Sequence, residues 1–249
     1  MTDQAQDTQL GARPTELQGL DKWLTERLVT VVVGSEEKRW NVHEKLLISQ
    51  SDFFKDHFAA GHDEMKLPDD DPKLFALFIR WLYGTAFLPV GGGARKFRFS
   101  QPDNKTTLGV YVLGGKFGII GVRNAVVEVL YNYYGESSDN HKCPSMHDVL
   151  YIFENTEPAA HMRRFLVAHV LFYLFSKQRR NTPLPRDWAE VLTEHGDIGF
   201  SMIRMLAEWN WAMGHNAGRM SIKSRESFYE KMPIPVEVIK EEEDVEEIL

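Results

Sequence analysis

One cysteine, Cys143, is all the thiol chemistry this 249-residue chain carries. It cannot close a disulfide within the chain or build a cysteine-rich zinc site or zinc fingers, and a reducing compartment, cytoplasm or nucleus, is the expected setting. Long apolar runs are also missing. The longest, FLVAHVLFYLF at 165–175, contains His169 and falls short of the roughly 20 residues needed to span a bilayer, so it reads as a buried helix. The opening MTDQAQDTQLGARPTELQ has neither a basic region nor an apolar core, so it reads as a disordered arm rather than a secretory signal. Positive charge is in short supply. The net charge is −7, and seven acids from Glu237 onward (Glu237, Glu241, Glu242, Glu243, Asp244, Glu246, Glu247) against Lys240 supply −6 of it. The remainder is nearly neutral and has no electrostatic footprint for nucleic acid.

Catalytic and nucleotide-binding signatures are absent as well. No G-x-S-x-G or H-E-x-x-H occurs. The glycine-rich stretch at 88–105 (LPVGGGARKFRFSQPDNK) has no Gly-Lys-Ser/Thr after it, and Gly115 stands where the segment from Gly109 would need a lysine. Both read as loop or packing glycines, not phosphate cradles. Asn104-Lys105-Thr106 matches a glycosylation sequon but lacks the secretory signal that would give it a mechanism. Among nine histidines, His141, Cys143 and His147 cluster most tightly, yet their spacing fits no common zinc pattern. No catalytic, cofactor-binding or metal-binding residue is expected.

The chain does contain 43% hydrophobic and 12% aromatic residues, enough for a substantial core. A β-branched run, Val29 to Val33, meets Gly34 and a charged turn, and Trp40 and Val42 then alternate with polar neighbours, which predicts a hairpin. From His43 the apolar spacing becomes helical (Leu46, Leu47) and resumes after Ser51 with Phe53, Phe54 and Phe58, predicting two short helices; Asn41 and Glu44 have capping-box spacing ahead of them. Met65 and Leu67 suggest a short strand. Asp69-Asp70-Asp71-Pro72 starts a helix with its apolar stripe at Leu74, Leu77, Phe78, Trp81 and Leu82, and Gly84 is expected to end it. Helices follow over Leu108 to Val112 and Val122 to Tyr133, the first carrying Gly114-Gly115 in close packing. Beyond a polar linker at 135–142, a capping box at Ser145 and Asp148 opens a helical region with further helices over 159–177, 186–194 and 200–213.

The ordered set Trp40, Val42, His43, Ser51, Phe53, Phe54 and Trp81-Leu82-Tyr83-Gly84 resembles the BTB/POZ domain, and the helical remainder is similar to the tails of fungal BTB proteins. The resemblance implies an α+β fold: a small sheet with a hairpin, flanked by a cluster of short helices, plus an all-α extension. The expected organisation is an arm at 1–24, a BTB/POZ domain at 25–135 with an inserted loop at 88–105, a helical extension at 136–215 and a disordered acidic tail at 216–249. It further implies a non-enzymatic interaction module that forms homodimers and recruits partners. Leu17, Leu20, Trp23 and Leu24, one face of a short helix, then form a dimer contact or else close the base of their own domain. A cullin ubiquitin-ligase scaffold is an alternative partner, contacted through His62, Glu64 and Tyr83, with His62 standing where that family places a hydrophobe. A transcriptional or SUMO-linked scaffold is a third. Val236, Val238 and Ile239 ahead of acids resemble a SUMO-interacting strand, and Lys240 fits a SUMO acceptor pattern, against the plainer reading of a solvated tail.

Overall fold

The structure, a computed structural model, describes residues 27–86, 103–135, 141–175, 186–213 and 224–231. Within them lie a three-stranded sheet, nine α-helices and one 3-10 turn, a mixed α+β architecture dominated by helix. No helix among the described residues is long and apolar enough to cross a membrane.

The expected hairpin is β1 (Leu28–Val33) and β2 (Lys38–His43), antiparallel, with Val31 opposite Trp40 and Leu28 opposite His43. The period then switches to helical. Helix α1 (Glu44–Ile48) follows at once and α2 (Asp52–Ala59) after a short turn. Strand β3 (Glu64–Leu67) returns beside β1, but parallel to it, so the sheet order is β2-β1-β3. Helix α3 (Pro72–Ala86) begins as its Asp-Pro start predicts, with Asp71 Oδ1 accepting the Lys73 N–H at 2.7 Å. It runs past Gly84, because a single helical glycine costs only about 1 kcal/mol and does not by itself end a helix.

The Asn41/Glu44 capping box is not formed. Asn41 belongs to β2, where its side chain accepts the hydroxyl of its cross-strand partner Thr30 at 3.0 Å, and the helix starts from His43 with no side-chain cap. The cross-strand bond engages the side chain that the cap would have needed. By contrast, Ser51 caps α2 through the Phe54 N–H and donates to the Phe117 carbonyl at 2.6 Å, pinning α2 to the end of the next helical hairpin.

That hairpin is α4 (Asn104–Lys116) and α5 (Ile120–Tyr134). Phe54, Phe75, Phe78 and Phe117, all buried, meet between it and the sheet-side helices, with Phe54 and Phe117 ring centroids 4.8 Å apart. Four more helices follow: α6 (Met146–Asn155), α7 (His161–Phe175), α8 (Arg186–Glu194) and α9 (Gly196–Met213). The Ser145/Asp148 capping box ahead of α6 is present with both of its bonds. A single contiguous apolar core runs from Val29 in β1 through Leu166 in α7 to Phe228, so the helical half shares its interior with the sheet half.

The glycine pair in α4 splits into two roles. A Cβ at Gly114 would stand 2.4 Å from Val122 Cγ1, within a fully buried contact, whereas one at Gly115 meets nothing nearer than the Arg123 guanidinium at 3.7 Å. Gly114→Ala is therefore expected to destabilise by about 1–2 kcal/mol, the overpacking cost less the gain in helix propensity. Gly115→Ala is expected to stabilise by up to about 1 kcal/mol. Urea denaturation of the two variants checks the opposite signs, and Val122→Ala should relieve Gly114→Ala alone.

Candidate functional site

Two polar assemblies stand out. The first surrounds the entry to the sheet. Arg27, just before β1, donates to the His62 carbonyl at 2.8 Å, forms an ion pair with Asp63, and reaches Glu44 at the start of α1 at 3.3 Å. Its own carbonyl accepts the Glu44 N–H at 2.9 Å. One arginine thus ties the hairpin's base to the loop before β3.

His62, Glu64 and Tyr83 fall around this arginine without converging on one point. His62 is exposed, its ring tilted against His57 at 4.9 Å. The Glu64 carboxylate pairs with Arg39, and its carbonyl accepts from His57 Nε2 at 3.0 Å. Tyr83 lies across the sheet at the β2–α1 junction. Its hydroxyl accepts the His43 N–H at 3.2 Å and sits 2.8 Å from His43 Nδ1. Tyr83, on α3, thus contacts the end of β2, whereas Glu64 stands in β3 on the far side of β1 and sends its carboxylate to Arg39 of β2.

Leu17, Leu20, Trp23 and Leu24, and likewise Val236, Val238, Ile239 and Lys240, lie outside the described residues, as does most of the 88–105 loop. His141, weighed above as a metal ligand, sets Nδ1 3.0 Å from the Gly135 carbonyl and Nε2 3.0 Å from the His169 carbonyl. Among the described residues no three His, Cys, Asp or Glu side chains are grouped to hold a metal ion.

The second assembly was not legible as a site in the sequence. Within the stretch read as a disordered tail, Ser224–Lys231 is a strap seated on α5 and α7, with a 3-10 turn over Arg225–Phe228. Phe228 is 2% exposed and meets Phe165 edge-on at 5.3 Å. The Glu230 backbone clasps the Asn124 side chain, its N–H donating to Oδ1 at 2.8 Å and its carbonyl accepting from Nδ2 at 3.0 Å. Arg225 pairs with Glu128 at 2.8 Å, and Tyr229 donates to the same carboxylate. The tail expectation gives way over these eight residues because an isolated Phe and a Glu find buried partners that only the tertiary fold supplies.

At the centre of the strap's seat, Arg123 contacts Glu230 through Nε at 2.8 Å, an ion pair rather than an aligned hydrogen bond. It donates from Nη2 to Tyr111 Oη at 2.7 Å and Glu157 at 3.2 Å. Tyr111 in turn donates to Glu230 at 2.6 Å and accepts the Met162 N–H at 3.2 Å. Burial, with the Glu230 acceptor beside it, pushes the Tyr111 phenol well up from its usual range. Burial opposes the Arg123 charge, but Tyr111, Glu230 and Glu157 together outweigh it and hold its pKa above the ordinary value. The Tyr111 hydroxyl has its proton and acceptor capacity engaged. The cluster is a clasp that holds the strap.

The chain matches no protein-family model, and no curated protein matches it at a significant level.

Proposed function

We propose that this chain is a BTB/POZ-type interaction module that works noncovalently, by assembling with itself and recruiting partners through its surfaces. The observation that carries this reading is that the family's ordered residues fall into one packed unit. His43 bonds Tyr83, Ser51 anchors α2 to Phe117, and Phe54 stacks near Phe78, one turn before Trp81 on α3. Leu28, at the hairpin's base, is exposed, and the sequence directly before it holds Leu17, Leu20, Trp23 and Leu24, the residues proposed for the homodimer contact.

Light scattering behind size exclusion on the full chain tests the assembly. A mass near twice 28.7 kDa is expected. Trp23→Asp with Leu24→Asp is expected to return it to the single-chain mass. A monomer for the unmodified chain at tens of micromolar would remove the dimer from the reading. The cullin-adaptor alternative is subordinate, since Glu64 is already paired with Arg39 and the Tyr83 hydroxyl with His43. It stands only if a cullin scaffold binds at micromolar concentration and Glu64→Ala with Tyr83→Ala weakens it. The SUMO-linked alternative rests on Val236, Val238, Ile239 and Lys240 alone.

A further inference from the structure

Between α7 and α9 lies a cleft of about 310 Å³ whose wall carries three guanidiniums, Arg163, Arg164 and Arg204, against one carboxylate, Glu208. Glu208 is shared, 3.1 Å from Arg164 and 3.9 Å from Arg204, so one negative charge answers two cations. Arg163 is committed to structure, donating to the Phe153 carbonyl at 2.7 Å and to the Thr156 hydroxyl at 3.1 Å, with Asp197 a further 3.8 Å away. The floor is apolar, formed by the buried Val167 and Met205. A ligand suited to this cleft has short aliphatic side chains for the floor and carboxylates for the rim.

This chain contains such a segment. Val236, Val238 and Ile239 are followed by Glu241, Glu242, Glu243, Asp244, Glu246 and Glu247. The strap delivers it to the right place. His161, which lines the cleft, bonds the Tyr229 carbonyl from Nδ1 at 2.7 Å. From Tyr229 to Val236 is seven residues, a reach of at most roughly 25 Å, so the aliphatic triplet can arrive at the cleft while the strap stays seated. A tether of this length corresponds to a millimolar effective concentration, which lets individually weak, solvent-exposed charge pairs act together.

We propose that the acidic segment 236–247 binds in this cleft of its own chain, making α7–α9 an interaction surface whose resident partner is internal. The inference stands apart from the BTB/POZ reading. An outside protein with an acidic, aliphatic stretch would compete for the same arginines, and any partner of the 236–240 stretch would first have to draw it out.

The test uses the full chain carrying Cys143→Ser and Glu246→Cys with a nitroxide at the new thiol. Amide signals of residues 160–164 and 201–208 are expected to lose more than about half their intensity at about 50 mM salt, and to regain most of it at about 0.5 M, where screening acts within about 4 Å. Arg164→Glu with Arg204→Glu, both exposed and paired with Glu208 rather than with the strap, is expected to abolish the broadening while leaving α5 signals in place. Glu241→Gln, Glu242→Gln and Glu243→Gln, which touch only the segment, should do the same. Unbroadened α7 and α9 signals in the parent chain at low salt would overturn the proposal. So would broadening that survives both sets of substitutions.

Discussion

Glu230→Ala is expected to cost about 3 kcal/mol in urea denaturation at pH 7, which is at the low end of the cost of removing one partner from a buried ion pair. The loss arises on the other side of the pair. Arg123 is only 9% exposed, and without Glu230 its guanidinium keeps Tyr111 and the more exposed Glu157 but loses its buried carboxylate. The Tyr111 hydroxyl loses its acceptor in the same step. Glu157→Ala serves as the comparison. Its side chain is 57% exposed, and exposed pairs contribute at most about 1 kcal/mol, so the effect should be a small fraction of that of Glu230. A double substitution, Arg123→Leu with Glu230→Ala, is expected to recover much of the loss, because no buried charge is then left without its counterpart. Equal effects for Glu230 and Glu157 would mean that the strap does not depend on this clasp.

Lowering the pH from 7 to 4 is expected to remove about 3 kcal/mol of stability through His169 alone. His169 is fully buried in α7, and neither ring nitrogen has a hydrogen-bond partner among the described residues. Its ring lies parallel to His141 at 5.0 Å and against Phe165 at 4.4 Å, with Tyr134 and Tyr131 completing the enclosure. Burial, assisted by neighbouring His141, pushes its pKa down to about 3. The sign follows from the two states. Above the unfolded value of about 6.5 the ring is neutral in both and contributes no pH dependence. Between there and about 3 the unfolded chain takes up a proton that the folded chain refuses, so stability falls as pH falls. His169→Leu has no proton to gain. Its loss between pH 7 and 4 should be smaller than that of the parent chain by about 3 kcal/mol, measured by urea midpoints across the range. Identical acid limbs in the two proteins would place the titration elsewhere.

What could be read from the sequence was local. The β1–β2 hairpin, the Asp71-Pro72 start of α3, the Ser145/Asp148 box and the bounds of α8 each depend on residues within a few positions of one another, where periodicity and capping chemistry act. Asn41 shows where this fails. Its spacing to Glu44 suits a cap, yet Thr30 on the neighbouring strand takes the side chain first. The parallel pairing of β3 with β1 has no local signature, since it rests on a connection through two helices. The strap is the extreme case. Phe228 and its neighbour Tyr229 stand in a charged stretch, and the worth of Phe228 appears only when Phe165 closes over it. His169 was visible as a histidine inside an apolar run, but nothing in that run says that His141 would stack on it. Of the contact residues singled out, the structure locates His62 in the loop before β3, Glu64 in β3 and Tyr83 on α3 against the end of β2.

The clasp also sets an order of events as the chain is made. Asn124 and Glu230 are 106 residues apart, and Tyr111 and Glu230 are 119 apart. At translation speeds of about 5–20 residues per second, α4 and α5 emerge roughly 5–20 s before the residue that neutralises Arg123. During that interval the nascent helical hairpin carries a guanidinium answered only by Tyr111 and the exposed Glu157, together with an uncovered Phe165, which is an opening for chaperones or for premature association between neighbouring chains. Seating of this eight-residue segment therefore follows the emergence of the helices that receive it, so the clasp closes later in synthesis than the hairpin it holds.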